Sequence, residues 1–208
     1  MNKINQLLSL IVMSAIALVS FTFPNTSLPI TTYKVDTSNS SLKWKGKKVT
    51  GEHTGTINIS SGNIKVDGKK ITGGEFVIDM QSLSNSDLTD AESNKKLVDH
   101  LKSDDFFGTD NHATSKFVIE EITSNGNDSY NVKGDLTIKG KTNSISFPAT
   151  INNNGNEILI QGNAVVDRSK FDIRYGSGSF FDNLGDKMIY DEFELDINLV
   201  AEKTLAVN

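Results

Sequence analysis

The sequence predicts an all-β fold, an up-and-down antiparallel barrel of about eight strands with one short helix inserted. Three observations carry that prediction. Segments along most of the chain alternate apolar and polar residues with period two, the mark of strands with one buried and one wet face. Gly, Asn and Asp punctuate those segments at hairpin spacing. Helical start signals occur at one place after the N-terminal segment. Strand count alone leaves a β-sandwich as the alternative. No repeat with a period of about 20 to 50 residues is visible, which argues against a propeller or solenoid.

The chain opens on an export pattern over residues 1–27: Lys3, a nearly unbroken apolar run from Leu7 to Phe23, and Ala15-Ile16-Ala17 as small residues for cleavage. A run of about 17 residues is at the short edge of what spans a bilayer, so cleavage is expected rather than a retained anchor. A polar linker from Asn25 to Thr32 precedes a single domain expected over residues 33–202. In its first strands Leu42, Trp44 and Gly46 oppose Lys43, Lys45 and Lys47, and His53, Gly55, Ile57 and Ile59 share one side. Asn63 to Val66 follows, Asp67-Gly68 signals a two-residue turn, and Ile71 to Met80 puts Phe76, Ile78 and Met80 inward.

Gln81 to Thr89 lacks periodicity and reads as a loop. Thr89-Asp90-Ala91-Glu92 has capping-box spacing, with Thr89 as N-cap, and Leu97 and Leu101 give the helix from Asp90 to Leu101 an apolar stripe. Phe106-Phe107 follows. Strands then run from Lys116 to Ile122, through a long hairpin from Tyr130 to Ile151, from Glu157 to Arg168 and from Met188 to Ala201, with turns at Asn125-Gly126 and Asn154-Gly155. In the hairpin, Val132, Gly134, Leu136 and Ile138 face the same side as Ile145, Phe147, Ala149 and Ile151. Ile160 lies on an inward row that Arg168 ends. Ser169 to Asp186, rich in Gly and Phe, is expected to be a flexible loop or a lid.

Composition bounds the function. The formal net charge is -5, and loss of Lys3 with the signal makes it -6 (20 basic against 26 acidic residues). That sign disfavours nucleic acid as a partner, because such binding rests on clustered cations that neutralise phosphates. There is no cysteine, so disulfides and lipid attachment through a signal-peptide cysteine are excluded. No row carries the convergent carboxylates, or the nucleophile with its base, that catalysis would need, and no enzyme activity is expected. Four glycines, Gly46, Gly55, Gly134 and Gly162, fall on inward parities. They could leave space for a ligand or let strands bend as a barrel closes, and both readings stand.

Several motifs occur in order: Trp44-Lys-Gly46, Gly51-Glu-His53-Thr-Gly55, His100-Leu-Lys-Ser-Asp-Asp-Phe106-Phe107, Leu136-Thr-Ile-Lys-Gly140, Ser146-Phe147-Pro148 and Asp167-Arg168-Ser-Lys-Phe171. The set resembles the YceI-like family of exported proteins, in register from about Tyr33 to Ala201. One departure is His112-Ala113, where that family often has an aromatic residue and Pro. The resemblance implies a lipocalin-like barrel holding a long apolar ligand for storage or transport. That ligand is typically an isoprenoid lipid such as an isoprenoid quinone or a polyprenyl phosphate, with no other cofactor. It also implies a periplasmic or secreted protein without stable membrane insertion once the signal is removed. A homodimer is left open.

Candidate ligand contacts on the inward rows are Trp44, His53, Ile57, Phe76 and Ile78, with Leu136, Phe147 and Ile160 across the barrel. The helix offers Leu97 and Leu101, and the entrance offers Phe106, Phe107, Arg168, Phe171 and Phe181. Arg168 could hold an oxyanion at the mouth or pair with a carboxylate within the fold. His53 could reach a ligand head group or be satisfied by protein atoms. The rivals are a metal hydrolase built on His53, His100 and Arg168, and a structural or adhesive surface module. A zinc site needs three or four converging ligands, and with no Cys and only His53, His100 and His112 as histidines it is disfavoured.

Overall fold

The computed structural model describes residues 29–204; the export segment expected over 1–27 lies outside the described residues. The strands are β1 (Thr31–Val35), β2 (Ser41–Lys48), β3 (Gly51–Asp67), β4 (Lys70–Asn85), β5 (Thr114–Gly126), β6 (Ser129–Ile138), β7 (Lys141–Asn153), β8 (Glu157–Asp167) and β9 (Ile189–Lys203), with helix α1 (Ala91–Lys102) between β4 and β5. Strands β2 to β9 pair in sequence order, all antiparallel, and β2 also pairs with β9. This closes an eight-stranded barrel and leaves no free edge along its wall. The sandwich alternative is thereby removed.

Strand β1 is not an extra wall. Like β2 it runs antiparallel to β3, with Tyr33 opposite Ile64 where Leu42 is opposite Ile57, so the two share one strand's place. The break between them is a turn built by Asp36, whose Oδ1 accepts from Ser38 N at 2.9 Å and Asn39 N at 3.1 Å. Ser40 Oγ donates to Asp36 O and accepts from Val200 N, holding the turn against β9.

Bulges explain where sequence periodicity breaks. In β3 the pairing with β4 shifts between Ile59 and Ser61, leaving Ser60 as an extra residue. Inward parity flips there, from Ile57 and Ile59 before it to Ile64 and Val66 after it, as a one-residue insertion requires. Read without the bulge, the strand looks like two short pieces. The same happens in β5, where a shift at Glu120 passes the inward row from Ile119 to Ile122. The expected loop from Gln81 begins as strand instead: β4 runs on to Asn85, with Met80, Leu83 and Asn85 buried. Polar side chains replace part of its ladder, since Asn58 N donates to Ser82 Oγ and Thr56 Oγ1 bonds Ser84 Oγ. That is why the segment reads as Ser- and Asn-rich coil.

Some local expectations move by one or two residues. Helix α1 is capped by Asp90 rather than Thr89: the Asp90 side chain accepts from Ser93 N at 2.8 Å. The β3–β4 turn is Gly68-Lys69, closed by the pair Asp67 and Lys70, and the β5–β6 turn is Asn127-Asp128, both in the left-handed region that Asn and Asp tolerate.

The barrel has two unlike ends. At one, Tyr33, Val35, Ile64, Val66, Ile158 and Ala201 are buried against each other, and the Tyr33 hydroxyl donates to Gly155 O at 2.9 Å. Helix α1, the loop after it and the segment between β8 and β9 gather at the other end.

The inward glycines divide. A Cβ at Gly55 would lie 1.8 Å from Ser84 O and 2.6 Å from the Trp44 ring; at Gly134, 2.3 Å from Val118 O and 2.6 Å from the Phe117 ring; at Gly162, 2.9 Å from Pro148 O. These three serve close strand approach, with an aromatic lying over Gly55 and over Gly134, and they create no space. Gly46 has nothing within 4 Å of its Cβ position and borders the lumen. Gly134→Ala is therefore expected to cost about 1 to 3 kcal/mol or more through overpacking, and Gly46→Ala to stay within about 0.5 kcal/mol of wild type. Urea unfolding of the pair checks this; equal effects would contradict it.

Candidate functional site

The inward rows enclose a cavity of about 490 Å³, inside the roughly 300–1,000 Å³ range of small-molecule sites. Its walls are apolar. Ile57, Phe76, Ile78, Leu136, Phe147 and Ile160 border it, as the strand parities predict, and Leu97 and Leu101 of α1 lie across it. Phe117 links the aromatics of the wall, its ring centroid 6.4 Å from that of Phe76 and 5.8 Å from that of Phe147. The residues that plug the closed end do not border the cavity, so it opens only toward α1.

A chain of edge-to-face rings frames that mouth. His100 meets Tyr175 at 4.4 Å and Phe106 at 5.8 Å, Phe106 meets Phe107 at 5.3 Å, and Phe107 meets Phe193 at 6.4 Å. These contacts join α1, the loop behind it, the β8–β9 segment and β9. Periodicity gave no sign of Tyr175 or Ile189, because both stand at or beyond strand ends. Phe193, Leu195 and Ile197 alternate along β9 and also border the cavity.

Polar side chains at the mouth are mostly engaged by protein. Trp44 Nε1 donates to Ser84 O at 3.0 Å. His53 Nδ1 lies 2.9 Å from Asp87 Oδ2, and Asp87 Oδ1 accepts from Thr54 N and from Asn85 Nδ2. Burial pushes the Asp87 pKa up, but hydrogen bonds from Thr54, His53 and Asn85 outweigh it and hold the carboxyl below its usual range. The ionised carboxylate thus fixes the His53 ring with Nδ1 as donor. His53 is thus satisfied by a protein carboxylate from the stretch expected to be a loop.

Arg168 borders the cavity but is taken up mainly by the protein itself. It is 2 % exposed, its Nε donates to Tyr190 O, Nη1 to Ile173 O and Tyr175 O, and Nη2 to Ile189 O, all at 2.9–3.2 Å. Four of its five N–H groups thus donate to backbone carbonyls, and Asp191 Oδ1 stands 3.3 Å from Nη2 as an ion-pair partner without hydrogen-bond geometry. Burial draws the guanidinium pKa below its ordinary value, against Asp191 and Asp167. Its place is therefore that of a clamp on the β8–β9 segment, with Phe106 packed 5.3 Å from its Cζ.

Two expected entrance residues sit elsewhere. Phe171 is buried in a second cluster with Val166, Ile173 and Ile138, behind the cavity wall, because the short 3₁₀ turn Arg168–Phe171 rotates it off the β8 row. Phe181 is 51 % exposed and borders a separate outer cleft with Asp104, Lys139 and Leu184. His112 packs against Gly108 and Gly140 and does not border the cavity. Among the described residues no group of three His, Asp or Glu side chains is placed to share a metal.

A closed antiparallel barrel with an apolar lumen, plugged at one end and roofed by a helix at the other, has the architecture of a lipocalin-type barrel. The chain belongs to the YceI-like family: residues 33–201 match that family's domain. Its fold is similar to that of Burkholderia cenocepacia BcnA, with a TM-score of 0.64 and 28 % identity over 80 % of this chain and 98 % of that one. It is also similar to a polyisoprenoid binding domain from Saccharophagus degradans, with a TM-score of 0.63 and 16 % identity over 83 % and 98 % of the two chains. A UPF0312 protein of Staphylococcus epidermidis is 34 % identical over 91 residues, 39 % of this chain. The chain spans about half the length of the curated relatives it matches.

Proposed function

We propose that this barrel binds an isoprenoid lipid, a quinone or a polyprenyl phosphate, with the tail in the lumen, and that it stores or carries that lipid after export to the periplasm or beyond. The observation that carries the reading is the lumen itself: about 490 Å³ bordered by apolar side chains, with charged residues only at the mouth, apart from the committed Arg168. Such a space suits a flexible hydrocarbon, since each buried CH₂ gains about 0.8 kcal/mol. The YceI-like family and the structural likeness to a polyisoprenoid binding domain support the same ligand class. No described helix is long and apolar enough to cross a membrane.

Release of so apolar a cargo needs a moving part, and α1 is the better candidate. None of its residues is fully buried, whereas the β8–β9 segment is tied down by Arg168. The test is organic-solvent extraction of the purified protein followed by mass spectrometry, with titration of added quinone. Recovery of an isoprenoid in near-stoichiometric amount is expected; repeated recovery of none, with no uptake of quinone, would remove the proposal.

A further inference from the structure

Ser115 stands in the wall of the cavity with nothing to bond. It shares inward parity on β5 with Phe117 and Ile119, lies opposite Ile78 of β4, and borders the lumen. The residue is 5 % exposed, and its Oγ, shielded from solvent, has no hydrogen-bond partner among the described residues. A buried hydroxyl without a partner is costly, and protein folds rarely leave one without a reason. The other buried polar group on the wall, Arg168, is bonded to four backbone carbonyls and ion-paired with Asp191. Every remaining polar residue around the cavity is at least partly exposed.

We infer that Ser115 is a hydrogen-bond anchor for one uncharged oxygen of the bound lipid, so that the cavity favours chains bearing a carbonyl or hydroxyl over pure hydrocarbons and over phosphorylated ones. The inference rests on the lipid-binding reading above and narrows it. A hydroxyl rotates about one bond and can donate to a quinone carbonyl or accept from an alcohol, so it suits either source of that oxygen. A phosphate at the same depth would find no unpaired cation: Arg168 is ion-paired with Asp191 and bonded to four carbonyls, Lys47 is paired with Glu194 at 2.7 Å, and Lys48 and Lys187 are exposed at the mouth. An anion buried without a partner is strongly disfavoured.

The experiment compares wild type, Ser115→Ala and Ser115→Thr with four probes of matched isoprenoid tail: a quinone, an alcohol, a phosphate monoester and the hydrocarbon. The sole tryptophan, Trp44, borders the cavity and reports quinone binding by quenching, and competition reports the others. Wild type is expected to prefer the quinone, the alcohol or both over the hydrocarbon by about tenfold, the scale of one buried hydrogen bond; which of the two it prefers identifies the oxygen. Ser115→Ala should erase that preference while hydrocarbon affinity holds or rises, and Ser115→Thr should retain it. Ligand-free Ser115→Ala should melt at or above the wild-type temperature, because it removes an unpaired group.

An unchanged preference in Ser115→Ala, a lower melting temperature, or a phosphate bound as tightly as the alcohol would overturn the inference. If wild type binds all four probes equally, the lumen still holds lipid and only the role of Ser115 falls. If it binds none, both readings fall together.

Discussion

Replacing Arg168 by Met is expected to destabilise the protein by about 3 to 5 kcal/mol, the usual cost of breaking a buried ion pair from one side. For a domain of this size that lowers the melting temperature by roughly 10 °C. The cause is local and countable. Carbonyls of Ile173, Tyr175, Ile189 and Tyr190 lose their donors at once, and Asp191 loses its cation. Lysine should rescue little, since one ammonium cannot reproduce the planar fork that reaches four carbonyls. Adding Asp191→Asn to Arg168→Met should recover part of the loss by removing the stranded charge. Denaturant unfolding of the three variants measures this, and a change under about 1 kcal/mol in Arg168→Met would show that the clamp is not what holds the β8–β9 segment.

Leu136→Trp is expected to abolish lipid uptake while the barrel stays folded. Leu136 is buried on β6 and borders the lumen, so an indole there projects into space that the ligand would occupy. It adds about six heavy atoms, and displacing as many carbons of cargo at about 0.8 kcal/mol each weakens binding by a hundredfold or more. In a solid core the same change would instead overpack, at about 1 to 3 kcal/mol. Thermal unfolding together with quinone titration decides between the two: near-normal melting with lost uptake is the expected pattern, and normal uptake would show that Leu136 does not limit the lumen.

Much of this architecture could be read from residue order, because a strand writes its two faces into alternate positions. The inward rows through Leu136, Phe147 and Ile160 all border the cavity. What alternation could not reveal falls into distinct physical classes. Bulges at Ser60 and Glu120 reverse the parity midway, so a single strand looks broken or shifted. Glycine is ambiguous by nature: the same missing Cβ makes room at Gly46 and permits a close backbone approach at Gly55, Gly134 and Gly162. Residues in irregular backbone carry no period, which is why Phe171 and Phe181 were expected at the entrance and lie elsewhere, and why Asp87 went unnoticed as the partner of His53. For Arg168, position on a row was legible but choice of partners was not, since carbonyls are present at every residue and only folding selects among them.

The plug of Tyr33, Ile64, Val66 and Ile158 has a kinetic consequence. A tunnel open at both ends could be fed at one and emptied at the other, with a queue passing through. This lumen is a dead end, so under the proposed function a new guest cannot arrive until the previous one has backed out by the route it came. Exchange must alternate between loaded and empty forms, donor and acceptor must take turns at the same doorway, and excess acceptor cannot speed departure by pushing from behind.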